Sequence, residues 1–599
     1  YNELKYITEE YKNGVDSFLK FACDNLKDED EGLMRCPCQK CKNRYFKDPS
    51  GVKVDLYLHG IMQWYTKWDL HGEKDMPRVE VGMSFGCNDD DDMYDAHNML
   101  RDFADANRYF ENFEEEPNAD AKEFYNMVND ASEPIYPNNK DYTRLSFVNK
   151  LLHFKNKHHC SNNGFDELLC LIGSVLPDGH KLPRSYYEVR KMISGLHMGY
   201  EKIDACENDC MLFYKEDINK THCDICYTSR YKEQKDPKKK KIARKILRYF
   251  PLTQRLQRLF MAEKTAECMR WHHNRVVVEG QLSHPADGDE WKHFDSRFPH
   301  FSKEIRNVRL GLSTDGFDPF RDAHAREYTV WPVVVVVYNL PPSMCTKAPY
   351  MFMPLLIPGP SDPTKDLHVY LRPLIDELKL LWHTGVETYD RFSRTNFMMK
   401  ATLMWTISDF PALAMLSGWS TKGKLSCPVC MGEVKATQLK HGGKPSFYGT
   451  ARYFLDQDDP LRRSTKFGRT KALSVTYRHS GIIAKTMCEQ IQFPNPGKTS
   501  WRKPRDYGVT HNWTHFSPFF ELPYWETLRL RHCIDVMHTE KNVFDNIFCT
   551  LINDKKKSKD NLKARRDCME LGIHRELWIK EDGTIPSAPY VLSRDQLHL

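Results

Sequence analysis

The sequence predicts an α/β protein, because valine-rich apolar runs of strand length alternate with stretches of helical periodicity. Residues 308–312 form an apolar run that leads into Asp315, and residues 331–338 carry enough β-branched side chains to form a central strand. Apolar side chains spaced three and four apart at 252–260 indicate an amphipathic helix. Strands and helices therefore occur in the same part of the chain, as in an α/β domain.

The order of these elements favours a ribonuclease-H-like core with a large insertion. The strand that ends on an acid is followed by two more strands, the second at 350–357, and then by a helix at about 367–381. A fourth strand ends on Asp409. Over a hundred residues then separate Asp409 from Glu540, so we place the insertion at about 412–525.

Length and composition limit the class of protein. A chain of 599 residues exceeds what one hydrophobic core usually supports, so several domains are expected. The longest continuous apolar run, residues 333–337, is far too short for a membrane span. Nineteen cysteines without a recognisable secretory signal favour thiols or metal ligands over disulfides. The net charge of +5 is small, so local basic patches say more about a nucleic-acid partner than the total does.

Two close cysteine pairs predict a zinc ribbon. Cys206 and Cys210 are separated from Cys223 and Cys226 by twelve residues. Two thiolates from each of two tight turns are what a tetrahedral structural zinc requires. The alternative is four unrelated free thiols.

A second candidate zinc site lies near the N-terminus. Cys36, Cys38 and Cys41 are followed by His59 and His71. These residues could complete a four-ligand site, which a small module would need for its stability. The alternative is a set of buried free thiols with surface histidines.

Three acids are candidates for holding catalytic metal ions. Asp315 and Asp409 end strands, and Glu540 lies within a helical pattern. Carboxylates from two strand ends and a helix can converge on Mg²⁺ or Mn²⁺, the hard cations that assist chemistry on phosphate. The alternative is ordinary capping and surface charge. Asp318 competes with Asp315, but its proline neighbour indicates a turn.

Two basic tracts are candidates for contact with the backbone of double-stranded DNA. The first could equally be a nuclear localisation signal or a solvated face; it consists of Lys238, Lys239, Lys240 and Lys241. The second lies in the insertion, among aromatic side chains that could stack on bases. Its members are Arg462, Arg463, Arg469, Lys471, Arg502, Lys503 and Arg505.

Longer stretches resemble the plant En/Spm, or CACTA-type, transposases between about residues 140 and 555. Residues 310–317 read LGLSTDGF and residues 535–543 read DVMHTEKNV. The other matching stretches are 271–272, 284–288, 331–333, 338–342, 356–360, 416–424 and 520–525. The cysteine motif at 36–38 similarly resembles the transposase-associated domain that precedes the catalytic region in such elements.

The resemblance implies a D-D-E triad of Asp315, Asp409 and Glu540, with Asp535 and His538 in a supporting motif ahead of the glutamate. It implies a nuclear DNA transposase that cuts transposon ends and joins them to target DNA with Mg²⁺ or Mn²⁺, while structural Zn²⁺ holds smaller modules. The implied partners are terminal-repeat and target DNA, further copies of the chain on that DNA, and an accessory DNA-binding protein of the element. No membrane partner is expected.

One departure from the family pattern concerns the insertion. In the family, Cys427 and Cys430 are followed by histidines that this chain lacks. His441 could substitute; otherwise the zinc site is degraded, because two thiolates alone do not close a tetrahedron. The loss leaves a domesticated or decayed transposase that only binds DNA as an alternative to an active enzyme. A metal-dependent nuclease without strand transfer is a third reading.

The expected domain organisation follows from these features. It comprises a transposase-associated module at 1–80, an acidic linker at 81–137, a helical region with the four-cysteine ribbon and basic run at 138–250, the ribonuclease-H-like core with its insertion at 251–555, and the start of a truncated C-terminal region at 556–599.

Overall fold

The computed structural model divides the chain into two compact units, Tyr1–Ser84 and Phe85–Leu599. The finer division of the second unit remains a prediction. The residues that the structure describes are 9–24, 32–41, 43, 45–61, 115–139, 141–158, 160–194, 199–234, 236, 241–319, 328–433, 436–447, 455–456, 458–464, 479–497, 502–554 and 556–592.

The first unit contains two helices and a short antiparallel strand pair. Its elements are α1 (Glu9–Asp24), β1 (Met34–Arg35), β2 (Phe46–Lys47) and α2 (Pro49–His59). Proline is well suited to the first position of α2, because the N–H that it lacks would have no partner inside the helix. The helix ends at Gly60, whose φ of 69° favours glycine. Phe18, Val52 and Leu56 pack in the core of this unit together with cysteine side chains.

Four helices begin the described part of the second unit. They are α3 (Ala119–Ser132), α4 (Arg144–Lys157), α5 (Asn162–Val175) and α6 (Tyr186–Ser194). The side chains of Asn118 and Ser161 each accept a hydrogen bond from the third backbone N–H of α3 and α5, which would otherwise lack a partner. Phe165 and Leu169 are buried where the last three helices meet.

A seven-stranded mixed sheet forms the centre of the second unit. The strands of this unit are β3 (Glu201–Ala205), β4 (Lys245–Tyr249), β5 (Val308–Thr314), β6 (Trp331–Val337), β7 (Met351–Ile357), β8 (Val386–Asp390), β9 (Thr395–Met399), β10 (Ala401–Ser408), β11 (Thr437–Gln438), β12 (Pro445–Ser446) and β13 (His532–Ile534). The order across the sheet is β13-β10-β5-β6-β7-β4-β3. β8 with β9, and β11 with β12, form separate pairs.

Strand direction divides the sheet into two parts. β13, β10 and β5 run parallel to one another, whereas every other neighbouring pair is antiparallel. All seven residues of β5 are buried, including Arg309, whose guanidinium pairs with Asp295. Parallel neighbours end at the same edge of a sheet, so whatever follows β5, β10 and β13 is brought together.

Helices complete the second unit. They are α7 (Leu252–Met261), α8 (Glu263–Cys268), α9 (Trp271–Asn274), α10 (Asp289–Arg297), α11 (Pro299–Ser302), α12 (Pro342–Cys345), α13 (Leu367–Tyr370), α14 (Arg372–His383), α15 (Phe410–Ser417), α16 (Gly481–Glu489), α17 (Val536–Leu551) and α18 (Leu562–Leu571). Single 3₁₀ turns lie at Lys215–Asp217, Pro285–Asp287, Ala348–Tyr350, Thr364–Asp366, Pro460–Arg463, Pro518–Glu521, Trp525–Thr527 and Arg575–Leu577. The helix predicted at about 367–381 is therefore two helices, α13 and α14. None of the described helices has both the length and the apolar character needed to cross a membrane.

Part of the predicted insertion belongs to the main core. Trp419 and Trp513 are buried against each other with their ring centres 5.2 Å apart and nearly perpendicular planes. Both pack in the same hydrophobic cluster as the strands of the sheet, as does Trp525. Both ends of the stretch at 412–525 therefore pack in the main core, so this stretch is not a wholly separate insertion.

Candidate active site and metal centres

Three aspartates follow the three parallel strands. Ser408 at the end of β10 is paired with Ile534 at the end of β13, and the backbone N–H of Asp535 donates to the Ser408 carbonyl at 2.9 Å. Continuing the register of β10 with β5 places Asp409 level with Asp315. Asp315, Asp409 and Asp535 thus lie side by side at the carboxyl edge of neighbouring strands.

Two of these aspartates also begin helices. Asp409 caps α15 by accepting a hydrogen bond from the Ala412 N–H at 2.9 Å, and Asp535 caps α17 by accepting from the His538 N–H at 3.1 Å. Capping fixes the direction of each carboxylate. It also sets the positive end of each helix dipole beside the strand edge, which stabilises negative charge there.

Burial and the charges around Asp315 change the pKa of its carboxyl. Burial raises the pKa of Asp315, and the nearby Asp409 and Asp535 raise it further, whereas a hydrogen bond from the Gly316 N–H at 2.7 Å and the charge of His538 lower it. Asp409, Asp535 and His538 are therefore close enough to Asp315 to influence its proton. The edge is a crowded anionic site, a condition that a divalent cation relieves.

Glu540 is placed differently. It is exposed, as are most residues of α17, while Cys549 is buried and Asp545 half-buried on the face that packs against the protein. At 3.6 residues per turn, Glu540 lies about 140° around the helix axis from Asp545. The structure thus brings together Asp315, Asp409, Asp535 and His538, and leaves Glu540 on the outer face of α17. Its role in the triad remains a prediction.

Asp318 is half-buried and lies four residues beyond the end of β5, next to Phe317, which forms an isolated antiparallel bridge with Val330. Asp315, by contrast, follows the strand directly. Asp315 is therefore the acid at the strand edge, and its role in the site remains a prediction.

Two compact groups of possible metal ligands occur among the described residues, and both are built on cysteines. In each group one ligand atom from every member lies within 4.8 Å of all the others. Neither Asp315, Asp409 and Glu540 nor any three of Asp315, Asp409, Asp535 and His538 form a third such group within the described part of the chain. The thiol clusters could bind a metal such as zinc.

The predicted ribbon cysteines form the first group. Cys206, Cys210, Cys223 and Cys226 converge, and the sulfurs of Cys206 and Cys226 are 3.4 Å apart. Burial raises the pKa of Cys206 to about 12. Burial also raises the pKa of Cys226, but hydrogen bonds from the Asn208 amide and from Thr228 outweigh it and bring that pKa to about 6. The Cys226 thiolate is thus favoured before any metal binds.

The ribbon is joined to the sheet and to α13. Asp209, in the turn between the first two cysteines, has a φ of 62° and is almost fully buried. It accepts hydrogen bonds from Lys245 Nζ at 2.5 Å and from the Tyr370 hydroxyl. Strands β3 and β4, which flank the ribbon in sequence, are the outermost pair of the sheet. The ribbon is therefore joined to the seven-stranded sheet of the second unit.

The second group differs from its prediction. Cys36, Cys38 and Cys41 do converge, but the fourth member is Asp55 of α2, not His59. His59 occupies the last turn of the same helix and is not part of the group. His71 lies outside the described residues. The sequence interpretation missed Asp55 because it sought histidine as the partner of the thiols.

Cys427 and Cys430 lie together without a third ligand among the described residues. The Cys430 N–H donates to the Cys427 sulfur at 3.4 Å. His441 does not substitute for the missing histidines, because its backbone N–H bonds to Asp567 and its ring lies 3.7 Å from Glu570. These contacts agree with a degraded site.

Several predicted DNA contacts are exposed side chains. Arg463, Arg502, Lys503 and Arg505 are exposed, and Arg462, which is half-buried, donates to the Leu455 carbonyl. Lys241 is exposed with its Nζ 5.3 Å from the centre of the Tyr231 ring. The remaining members, Lys238, Lys239, Lys240, Arg469 and Lys471, lie outside the described residues.

Comparison with known families identifies the class. A family model described as transposase family tnp2 matches residues 279–487, which include Asp315 and Asp409 and end before Asp535. A second model, the transposase-associated domain, matches residues 1–73. Two stretches of the chain thus match domain families of transposases. More particularly, the pair of matches confirms the resemblance to the plant CACTA, or En/Spm-type, transposases. No curated protein matches the chain significantly.

Proposed function

We propose that this chain is a DNA transposase of the CACTA type, which cuts transposon ends and joins them to target DNA by metal-assisted phosphoryl transfer. The observation that supports the proposal most directly is the edge where Asp315 and Asp409, both within the tnp2 match, follow adjacent parallel strands. Acids at the ends of adjacent strands are suited to holding ions against a phosphodiester.

The strand order supports a ribonuclease-H-like core for this activity. In β7-β6-β5-β10-β13, three antiparallel strands come first in the chain and two strands parallel to β5 follow. This arrangement agrees with the order inferred from the sequence, three strands, a helix and a strand ending on an acid. β13 adds a fifth strand with its own terminal aspartate.

The donors at the edge fit hard cations. Mg²⁺ and Mn²⁺ prefer carboxylate oxygens, and the residues near Asp315 supply them without any thiol among them. Ions held there would activate water, and later a DNA 3′-hydroxyl, and would stabilise the leaving oxygen. The protein's own contribution is orientation, since backbone N–H groups fix all three aspartates.

The third acid of the triad has two candidates. The family resemblance assigns it to Glu540, whereas Asp535 is the carboxylate that shares the edge with Asp409. We propose the D-D-E triad of Asp315, Asp409 and Glu540, with Asp535 and His538 as residues that shape the charge around it. DNA engaging α17 would then have to bring Glu540 toward the edge.

We further propose that the basic residues hold DNA while the carboxylates act on it. Exposed Arg463, Arg502 and Arg505 offer contacts to phosphate that do not depend on base sequence. The zinc ribbon would position the DNA without taking part in the chemistry. The lysine run that ends at Lys241 supports a nuclear location, where the terminal repeats, the target DNA and any accessory protein are found.

The test is Mg²⁺-dependent nicking and joining of DNA that carries the terminal repeats of the encoding element. The wild-type chain should nick at the repeat ends and join them to a second DNA. Asp315→Ala should bind the DNA but nick it no faster than the wild-type chain in EDTA. The matched control is Asp318→Asn, three residues away, which should retain nicking. DNA binding by the wild-type chain without Mg²⁺-dependent nicking would contradict the proposal, and nicking without joining would indicate a nuclease.

A further inference from the structure

The N-terminal cysteines lie in a module whose hydrophobic core is small. Its described core consists of a few apolar side chains from α1 and α2, among them Phe18, Val52 and Leu56, together with the three cysteines. A hydrophobic core of this size usually requires a disulfide or a metal as well. The described cysteines are all free thiols, so a disulfide does not fill this need.

We propose that Asp55 is the fourth ligand of a zinc centre whose other ligands are Cys36, Cys38 and Cys41. This inference concerns the structure of the N-terminal module and is independent of the proposed transposition chemistry.

The distances fit a single ion. Asp55 Oδ2 lies 3.3 Å from the sulfurs of Cys36 and Cys41 and 4.0 Å from that of Cys38. Zinc–sulfur bonds of about 2.3 Å place tetrahedral ligands about 3.8 Å from one another. The four ligand atoms, all within 4.8 Å of each other, need only small adjustments to reach that geometry.

The backbone holds the thiols in place. The Cys41 N–H donates to the Cys38 sulfur at 3.2 Å, a hydrogen bond that stabilises a thiolate. The Asn43 N–H donates to the Cys36 carbonyl at 2.9 Å, and Asn43 itself has a φ of 58°, which closes the turn after the third cysteine. The Gln39 N–H donates to the Gly60 carbonyl at 2.9 Å and ties this loop to the end of α2. The thiols are thus arranged before an ion arrives.

Helix α2 presents Asp55 to the thiols. Val52 and Leu56 on the same side of the helix are fully buried, so Asp55 between them is turned toward the interior. Its carboxylate also accepts from Lys47 Nζ at 2.6 Å. That bond is made to Oδ2, the same oxygen that faces the three sulfurs, so an ion bound through Oδ2 requires the Lys47 ammonium to move to Oδ1. Three thiolates and a carboxylate carry more charge than Zn²⁺ neutralises, and the Lys47 ammonium offsets part of the excess.

The donor set selects the metal. Three soft sulfurs exclude Mg²⁺ and Ca²⁺, which take oxygen ligands, and a closed four-ligand tetrahedron favours Zn²⁺ in a structural role. Histidine is the more common companion of three cysteines, and His59 stands one helical turn beyond Asp55. The two residues therefore make a matched pair for testing which one binds the ion.

The test measures zinc content and zinc affinity of the full-length chain, the latter by competition with a chromogenic chelator. Asp55→Ala should lose one zinc ion per chain or bind that ion at least tenfold more weakly. His59→Ala should match the wild-type chain. Lys47→Ala should keep the ion, since Lys47 supports the carboxylate without binding the metal. Wild-type zinc binding in Asp55→Ala, or loss of zinc in His59→Ala, would overturn the assignment.

The substitution Asp55→His distinguishes loss of a metal ligand from loss of folding. Asp55→His creates a set of three cysteines and one histidine, and it should retain the zinc that Asp55→Ala loses. With Co²⁺ in place of zinc, the visible absorption of Asp55→His should differ from that of the wild-type chain, because a nitrogen has replaced an oxygen at the ion. Identical Co²⁺ spectra in the two proteins would show that residue 55 does not touch the metal and would overturn the proposal. None of these experiments measures DNA nicking. Their results therefore test the zinc centre independently of the proposed transposase activity.

Discussion

At the scale of single residues, charge and position support an electrostatic role for Asp535 beside the proposed triad. Asp535 continues the backbone pairing of β13 with β10, and its N–H bonds to the Ser408 carbonyl. Its charge contributes to the raised pKa of Asp315. Glu540 is exposed on the outer face of α17. The carboxylate of Asp535 should therefore matter to the chemistry, and not only to the start of the helix.

Asp535→Asn tests this point, because asparagine caps a helix about as well as aspartate but carries no charge. We expect Asp535→Asn to reduce Mg²⁺-dependent nicking of terminal-repeat DNA, but less than Asp409→Asn or Glu540→Gln does, with unchanged thermal stability. Glu540→Gln is the matched comparison on the same helix. Full nicking by Asp535→Asn together with loss of nicking in Glu540→Gln would show that Asp535 is only a cap and would leave the D-D-E triad intact.

Strand-end positions of single residues could be predicted from the sequence where the signal was local. Asp315 and Asp409 could be found because each directly ends a buried apolar run. Asp55 could not be found in this way, because its contact with Cys36 depends on how helix α2 packs. One usable signal was present: Asp55 follows Val52 by three positions and precedes Leu56, so a helical reading places it on the buried face.

At the scale of elements, the sequence predicted the longer apolar strands β5, β6, β7 and β10 and missed the shorter β3, β4 and β13. β5, β6 and β10 are almost wholly buried and read as apolar runs. β3 alternates exposed charged residues with buried ones, and β13 has only three residues. Such short or half-polar strands are defined by their neighbours, since pairing and burial depend on the tertiary structure.

The proposed zinc ribbon should stabilise the outer edge of the sheet. β3 and β4 enter and leave the cysteine turns, and the buried pair of Asp209 with Lys245 links the first turn to β4. Cys223→Ser, or removal of metal by a chelator, should therefore speed hydrogen exchange of the β4 amides while leaving those of β5 unchanged. Cys170→Ser is the control, because Cys170 is an exposed thiol on α5. Equal exchange of β4 in Cys223→Ser and in the control would contradict the role of the ribbon.

At the scale of the whole molecule, the second unit buries several neutral histidines beside arginines. His272 packs with its ring centre 5.6 Å from that of Trp291, and its Nε2 lies 3.3 Å from a terminal nitrogen of the buried Arg309. Burial, and then the charge of Arg309, lowers the pKa of His272 to about 3. Burial and the charge of Arg531 likewise lower the pKa of His532 to about 3. Folding therefore requires these rings to stay uncharged.

The stability of the unit should fall as the pH drops below about 6.5, the ordinary pKa of histidine. Between that value and about 3 the unfolded chain binds a proton at residue 272 that the folded chain does not, so acid favours unfolding by about 1.4 kcal/mol per pH unit for that ring. His272→Phe keeps an aromatic ring against Trp291 but cannot be protonated. It should lower stability at pH 7, through the lost contact with Arg309, yet flatten the decline of the thermal midpoint between pH 6.5 and pH 5. The control is His300→Phe. The side chain of His300 is exposed on α11, so this substitution should leave the slope of the thermal midpoint against pH unchanged. Parallel pH profiles for the wild-type chain and His272→Phe would show that the acid sensitivity arises elsewhere.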